Sequence, residues 1–296
     1  MFENVLGNDS IKDMLRQAVV NNKVSHSYLL IGTSGIGKKK IALEFAKAIL
    51  CLNQNKYCNY CKSCIEFDSN NNPDYYYMTP EGNSIKIQQI RELQEKIQEK
   101  PIISEKKVYI IDDADMMTTE AQNCLLKTLE EPPDFATIIL IGTNENSILT
   151  TIKSRCMIIH FNPISDLEMR KYLEENYQMK SITQNMLDLF QGSIGKAINL
   201  KDKKEQYENL ERLIDNLSQK DLIDIAKMAE ILYKSKEEIF EMLDYMNIVI
   251  LKKAKEEYRY TNCIQIVEDT KKRLKQNANY DMSIDHMVFN MWEEIN

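Results

Sequence analysis

Neither proline nor glycine occurs beyond Gly195: the six prolines all lie at or before Pro163, yet the chain runs on to Asn296. Nothing in residues 196–296 therefore interrupts a helix. Apolar spacing agrees, with Leu210, Leu213, Ile214 and Leu217 on one face and Ile284, Val288, Met291 and Ile295 on another, which predicts a helical bundle. Histidine is scarce, and His26, His160 and His286 show neither an HExxH nor a triad spacing, so they are assigned no chemistry. No stretch approaches the ~20 apolar residues of a membrane span. The first residues, MFENVLGNDS, lack a basic region followed by an apolar core, and a cytoplasmic address without membrane contact is expected. Positive charge is not in excess either. A formal net charge of -7 argues against a protein that grips DNA tightly alone, because phosphate neutralisation needs clustered Lys and Arg. Any nucleic-acid role is expected to be shared with partners.

What is present divides the chain. With 296 residues, 43% hydrophobic and 28% charged, it has room for roughly two or three globular domains. SYLLI (27–31), DYYYM (74–78), KVYII (107–111), TIILI (137–141) and MIIHF (157–161) read as buried strands,. KKIALEFAKAIL and TTEAQNCLLKTLEE between them have helical periodicity, and Thr118 or Thr119 can cap the second,. Such alternation implies a parallel sheet covered on both faces. A short helical segment from about 165 to 200 ends in GSIGKAINL, and DSNNNPD (68–74) reads as a local turn-rich loop,.

In LLIGTSGIGKKK (29–40), Gly32, Thr33, Ser34, Gly35, Ile36, Gly37 and Lys38 follow a strand and open a helix. Glycines let backbone N–H groups curl around phosphates at the positive helix end, and Lys38 can reach the outer phosphates. Lys39 is anomalous, since the usual Ser or Thr there holds Mg²⁺ by its hydroxyl and an ammonium group cannot. VYIIDDAD (108–115) ends a strand in carboxylates: Asp112 would meet Mg²⁺ or its water, and Asp113 stands where attacking water is oriented. Cys51, Cys58, Cys61 and Cys64 form C-x6-C-x2-C-x2-C, a spacing suited to structural Zn²⁺. Cys124, Cys156, Cys263 and the fifteen methionines read as packing residues, and KDKKEQYE (201–208) as a solvated helix face,.

Taken in order, the phosphate loop, the cysteine cluster, VYIIDDADMMTTEAQNCLLKTLEEPPDFATIILIGTN, TIKSRC (151–156) and GSIGKAINL resemble the clamp-loader branch of the AAA+ family. Within it they resemble the delta-prime subunits of bacterial DNA polymerase III. LLKTLEEPP followed by SRC is the most specific part, and NANYDMSIDHMVFNMWEEI looks like the last helix of a C-terminal collar. The resemblance implies an AAA+ nucleotide-binding-like domain over 1–163 with a zinc module at 51–64, a helical lid over 164–203, and an all-α collar over 204–296.

It also implies a place in a pentameric ATP-driven machine that loads a sliding clamp onto primed DNA, with gamma/tau and delta subunits as partners. The polymerase activity would belong to the whole complex, which sits at the nucleoid through the replisome. A delta-prime subunit acts there as stator and offers the arginine of its SRC motif, here Arg155, to the adjacent gamma/tau ATP site. Active subunits resemble GSLRDA, whose arginine senses nucleotide, whereas here Gly195 takes that position and Lys196 follows. Thr143 matches the polar sensor at a strand end, with Asn144 as alternative. ATP or ADP bound without turnover, and no ordinary Mg²⁺ site, is one expectation. A gamma/tau-type ATPase using Lys38, Asp112 and Asp113 is the other.

Overall fold

The five apolar runs form the five strands of one parallel sheet: β1 (Ser27–Ile31), β2 (Tyr75–Met78), β3 (Lys107–Ile111), β4 (Ala136–Gly142) and β5 (Met157–His160). Their spatial order is β2-β3-β4-β1-β5, and Leu30 of β1 lies opposite Ile141 on one side and Ile159 on the other. This is a computed structural model of the chain, and it describes residues 1–3, 5–53, 56–179 and 182–296. Gln54 and Asn55 of the cysteine segment and Lys180 and Ser181 of the expected lid lie outside the described residues.

Alternation along each strand builds two cores. Tyr28, Leu30, Val108, Ile110, Ile139 and Ile141 pack with α1 (Asp9–Val20), α2 (Lys38–Leu50) and Phe67 of α3 (Lys62–Asp68). Leu29, Ile31, Tyr109, Ile111, Ile138 and Leu140 pack with α4 (Ile87–Ile97), α5 (Thr119–Glu130) and α6 (Thr150–Lys153). Side chains two apart share a face, so a sheet covered on both sides needs the continuous apolar runs seen here. Thr118 caps α5 by accepting from the Ala121 amide. The outer strands differ from the expectation of full burial. Met157 in β5 is exposed and Tyr75 to Tyr77 of β2 are half-buried, because each of these strands has a neighbour on only one side.

The chain divides into two compact units, Met1–Met169 with Ser193–Gly195, and Arg170–Gly192 with Lys196–Asn296. From Asp166 onward the described elements are helices: α7 (Asp166–Tyr177), α8 (Gln184–Phe190), α9 (Ile194–Asn199), α10 (Lys204–Asn216), α11 (Leu222–Met228), α12 (Glu230–Lys234), α13 (Ile239–Glu256), α14 (Thr261–Lys275) and α15 (Tyr280–Ile295). The faces read from spacing are the buried ones: Leu210, Leu213, Ile214 and Leu217, then Ile284, Val288, Met291 and Ile295. Met242, Met246, Met287 and Met291 fill the same core, and Tyr207 meets Tyr245 edge-on with centroids 4.9 Å apart. None of the described helices is long and apolar enough to cross a membrane.

The segment 68–74 is the turn-rich loop expected, and two of its residues, Asn72 and Asp74, are buried and act as a fastener. Asp74 accepts hydrogen bonds from the Ile102, Ile103 and Ser104 amides at 2.6–2.7 Å. Asn72 donates to the Ser63 carbonyl and hydroxyl in α3, and Ser104 donates to the Leu50 carbonyl. These bonds tie the helix next to the cysteine loop to the entrances of β2 and β3. Asp74→Ala leaves three part-buried amides unpaired and is expected to lower stability by about 2–5 kcal/mol. Urea unfolding followed by circular dichroism checks this, and a loss under about 1 kcal/mol would contradict it.

Candidate nucleotide and metal sites

Beyond β1 the chain bends through Gly32–Gly37 and enters α2 at Lys38, with Gly37 at φ +99° as its N-cap. Gly35, at φ +76°, has no room for a side chain, since a Cβ would meet Ser193 Oγ at 2.3 Å. The Gly195 amide donates to the Gly35 carbonyl at 3.0 Å, and a Cβ on Gly195 would come within 2.9 Å of Gly35 Cα. The position at which the resemblance expects a sensing arginine is thus packed backbone to backbone on the phosphate loop. Lys38 is buried and donates to the Gly32 and Thr33 carbonyls at 2.6 and 2.8 Å. Burial lowers its pKa, opposed by the charges of Asp112, Asp115 and Asp113.

The carboxylates follow β3. Asp113 adopts a left-handed conformation at φ +50°. Burial and the neighbouring charges of Asp112 and Asp115 raise its pKa, with Lys38 and Lys39 opposing. Asp112 accepts from the Tyr77 hydroxyl of β2. Burial and this bond push the Tyr77 phenol well above its usual range, so it stays a donor at neutral pH. Lys39 Nζ lies 3.6 Å from the same Asp112 oxygen and 4.6 Å from the centroid of the Tyr77 ring. Two residues not foreseen from sequence thus complete the cluster. Tyr77 is one, and Asp115 is the other: it accepts from the Thr143 amide, the Thr143 hydroxyl and the Asn144 amide at 2.8–3.1 Å. The third acid of DDAD was the available signal for Asp115; nothing in β2 singles out Tyr77 from its tyrosine neighbours.

The structure brings the phosphate loop, Asp112, Asp113 and Thr143 to the same edge of the sheet, but a Mg²⁺ ion does not fit the usual place between them. A divalent ion about 4 Å from the Lys39 ammonium would be repelled by roughly 2 kcal/mol in water and about 8 kcal/mol at an effective dielectric of about 20. The hydroxyl ligand at that position is missing as well.

The four clustered cysteines do converge. Their Sγ atoms all lie within 4.8 Å of one another, and Cys51 and Cys58 are 3.6 Å apart. A tetrahedral thiolate shell requires sulfur separations of about 3.8 Å. Left-handed residues Lys56, Tyr57 and Asn59 fold the loop back on itself. Desolvation acts against ionising Cys58, but amide hydrogen bonds from Tyr60 and Cys61 outweigh it and draw the thiol down to about 6. Burial and the Cys61 thiol push Cys64 up. The donor set fits a thiophilic cation with no open position.

Arg155 belongs to the opposite edge. It precedes β5, and its carbonyl accepts from Ser27, the first residue of β1, at 2.6 Å. Its guanidinium donates to Glu130 at 2.5 Å and to the Thr151 carbonyl at 2.8 Å. The five residues of β1 separate it from its own phosphate loop by about 16 Å, beyond the reach of one side chain.

A family model described as "DNA polymerase III, delta subunit" matches residues 7–165. The chain belongs to this family of AAA+ clamp-loader proteins. It is 36% identical over 209 residues to DNA polymerase III subunit gamma/tau of Mycoplasma pneumoniae, covering 68% of this chain and 30% of that one. With DNA polymerase III subunit delta' of Bacillus subtilis it shares 34% over 208 residues, covering 69% and 62%. With the tau subunit of the same bacterium it shares 37% over 166 residues, covering 55% and 29%. The chain spans less than two thirds of each of these relatives, and the identities do not separate the two kinds of subunit.

The Gly35–Gly195 contact can be tested by adding atoms. Gly195→Arg, which installs the side chain of the GSLRDA pattern, must push residues 193–195 off the loop and is expected to destabilise the protein by about 1–3 kcal/mol. Thermal unfolding of the variant checks this, and an unchanged midpoint would show that the two backbones do not need their close approach.

Proposed function

We propose that the chain is a delta-prime-like clamp-loader subunit that does not hydrolyse ATP and supplies Arg155 to the ATP site of a neighbouring gamma/tau subunit. The observation that carries this is the placement of Arg155 on the strand-entry edge, opposite the chain's own phosphate loop. An arginine there can serve only another molecule's nucleotide. Its guanidinium would stabilise charge that develops on the transferred phosphoryl group. Support for a silent site comes from Lys39 beside Asp112, from Lys38 held by loop carbonyls, from Thr143 engaged by Asp115, and from Gly195 in place of an arginine.

In this reading delta and gamma/tau are the partners, and the sliding clamp and primed DNA are met through the complex. Residues 164–203 act as the lid and 204–296 as the collar that joins the subunits, while Cys51, Cys58, Cys61 and Cys64 hold one structural Zn²⁺.

Arg155→Ala in the reconstituted complex is expected to lower turnover at the one site it faces by about 10³-fold or more, seen as loss of that site's share of the ATPase. Assembly on a sizing column should be intact. Unchanged turnover would refute the proposal. The four-cysteine site predicts one zinc per chain by metal analysis, and Cys64→Ser should release it and destabilise the sheet unit.

A second reading, a gamma/tau-type ATPase, is favoured by Lys38, Asp112 and Asp113, which stand where a hydrolytic site needs an ammonium group and carboxylates,. Turnover by the purified chain near about 1 s⁻¹, ordinary for an enzyme, would establish it.

A further inference from the structure

The misfit between Lys39 and Mg²⁺ has a positive side. We propose that Lys39 is a built-in substitute for the divalent cation, so that this phosphate loop takes a metal-free nucleoside polyphosphate. Four observations converge. Lys39 is the second residue of α2, where a metal-holding hydroxyl would stand. Its ammonium is 3.6 Å from Asp112, the carboxylate that would otherwise face the metal or its water. Tyr77 donates to the Asp112 oxygen nearest Lys39 and lays its ring 4.6 Å from Nζ. The carboxylate and the aromatic face together thus hold one positive charge beside the loop, fixed to the backbone.

The side chain of Lys39 is 57% exposed while that of Asp112 is 15% exposed, so the ammonium is open on its outer side. An ammonium group has three donors: Asp112 faces one, and a phosphate oxygen can take another. Lys38 can exchange the Gly32 and Thr33 carbonyls for phosphate oxygens, which would set two ammonium groups against the polyphosphate. A tethered cation binds and neutralises phosphates as a metal does, but it has no exchangeable coordination site for orienting a leaving group or water. The arrangement is therefore a holding site and not a hydrolytic one.

The inference builds on the reading of a silent site, but the two fail separately. Turnover by the pure chain would sink the silent site; a metal requirement for binding would sink this one; and neither touches Arg155, which is read from the neighbour's ATPase.

The experiment titrates the 296-residue chain with fluorescently labelled ADP, in Mg²⁺ and in EDTA. The wild type should bind with affinities within about twofold of each other in the two buffers. Lys39→Met should bind at least tenfold more weakly than wild type in EDTA. Lys39→Thr, which restores the hydroxyl, should bind at least tenfold more tightly in Mg²⁺ than in EDTA, a difference of about 1.4 kcal/mol. Circular dichroism confirms that both variants fold. Tenfold tightening of the wild type by Mg²⁺ would overturn the proposal. So would undiminished binding by Lys39→Met in EDTA, or no binding of ADP by the wild type at millimolar concentration.

Discussion

Parallel pairing of β1 between β4 and β5 sends the strands in one direction, and the chemistry of the sheet unit is sorted by that direction. Strand exits gather the phosphate loop after β1, Asp112 to Asp115 after β3, and Thr143 after β4. Strand entries gather Arg155 before β5, Ser27 opening β1, and the Asp74 fastener before β2. Ser104, bonded to Asp74, also reaches Leu50 just before the cysteine module and Ser63 within it, so the metal-fitting module belongs to the entry edge with Arg155. A crevice at the carboxyl ends of parallel strands is where open α/β sheets bind ligands. The other edge carries the arginine that cannot reach that crevice.

At the exit edge the charges are arranged to satisfy one another. Three carboxylates and two ammonium groups meet within a small volume, and most have a protein partner: Asp115 takes Thr143 and Asn144, Asp112 takes Tyr77 and Lys39, and Lys38 takes two carbonyls. Buried or half-buried charge is costly unless paired, and here the pairing is achieved by the chain alone. A hydrolytic site must instead keep a carboxylate and a hydroxyl waiting for metal. The lysine at position 39 changes that balance, because it offers no metal-holding hydroxyl and places a positive charge beside Asp112.

How much of this was legible in the sequence follows from the range of each interaction. Strand and helix periodicity is local, so the five strands and both core faces of the C-terminal helices could be read directly. The burial of β2 and β5 could not, because whether a strand is central or outermost depends on pairing between distant segments. The cysteine spacing implied convergence, and the sulfur atoms do converge. Lys39 was visible as an anomaly, but its partner Tyr77 is 38 residues away on the outermost strand β2, and all three tyrosines of β2 look alike in one dimension. Asn72 and Asp74 read as loop residues because Asn and Asp are common in turns, and they are loop residues, but the burial of Asp74 is set by amides about thirty residues downstream. Gly195 could be read as a missing arginine; that its missing side chain also admits the Gly35 backbone is visible only in three dimensions.

The Arg155–Glu130 pair shows how such an arginine can be held and still be available. The two side chains are 32% and 48% exposed at a separation of 2.5 Å, and an exposed ion pair contributes about 0–1 kcal/mol. Thr151 and Ser154 add hydrogen bonds from the same short turn, which restrict the guanidinium without burying it. A terminal phosphate carries more charge than a single carboxylate and offers bidentate geometry to the same fork of donors. Transfer from Glu130 to a phosphate on a neighbouring molecule would therefore lose a weak contact and gain a stronger one. Had Glu130 been buried, removing its partner would have left an uncompensated charge at a cost of several kcal/mol, and the arginine would have been locked in place. Exposure of the pair is what makes the proposed service of Arg155 to another molecule's nucleotide compatible with its ion pair in this chain.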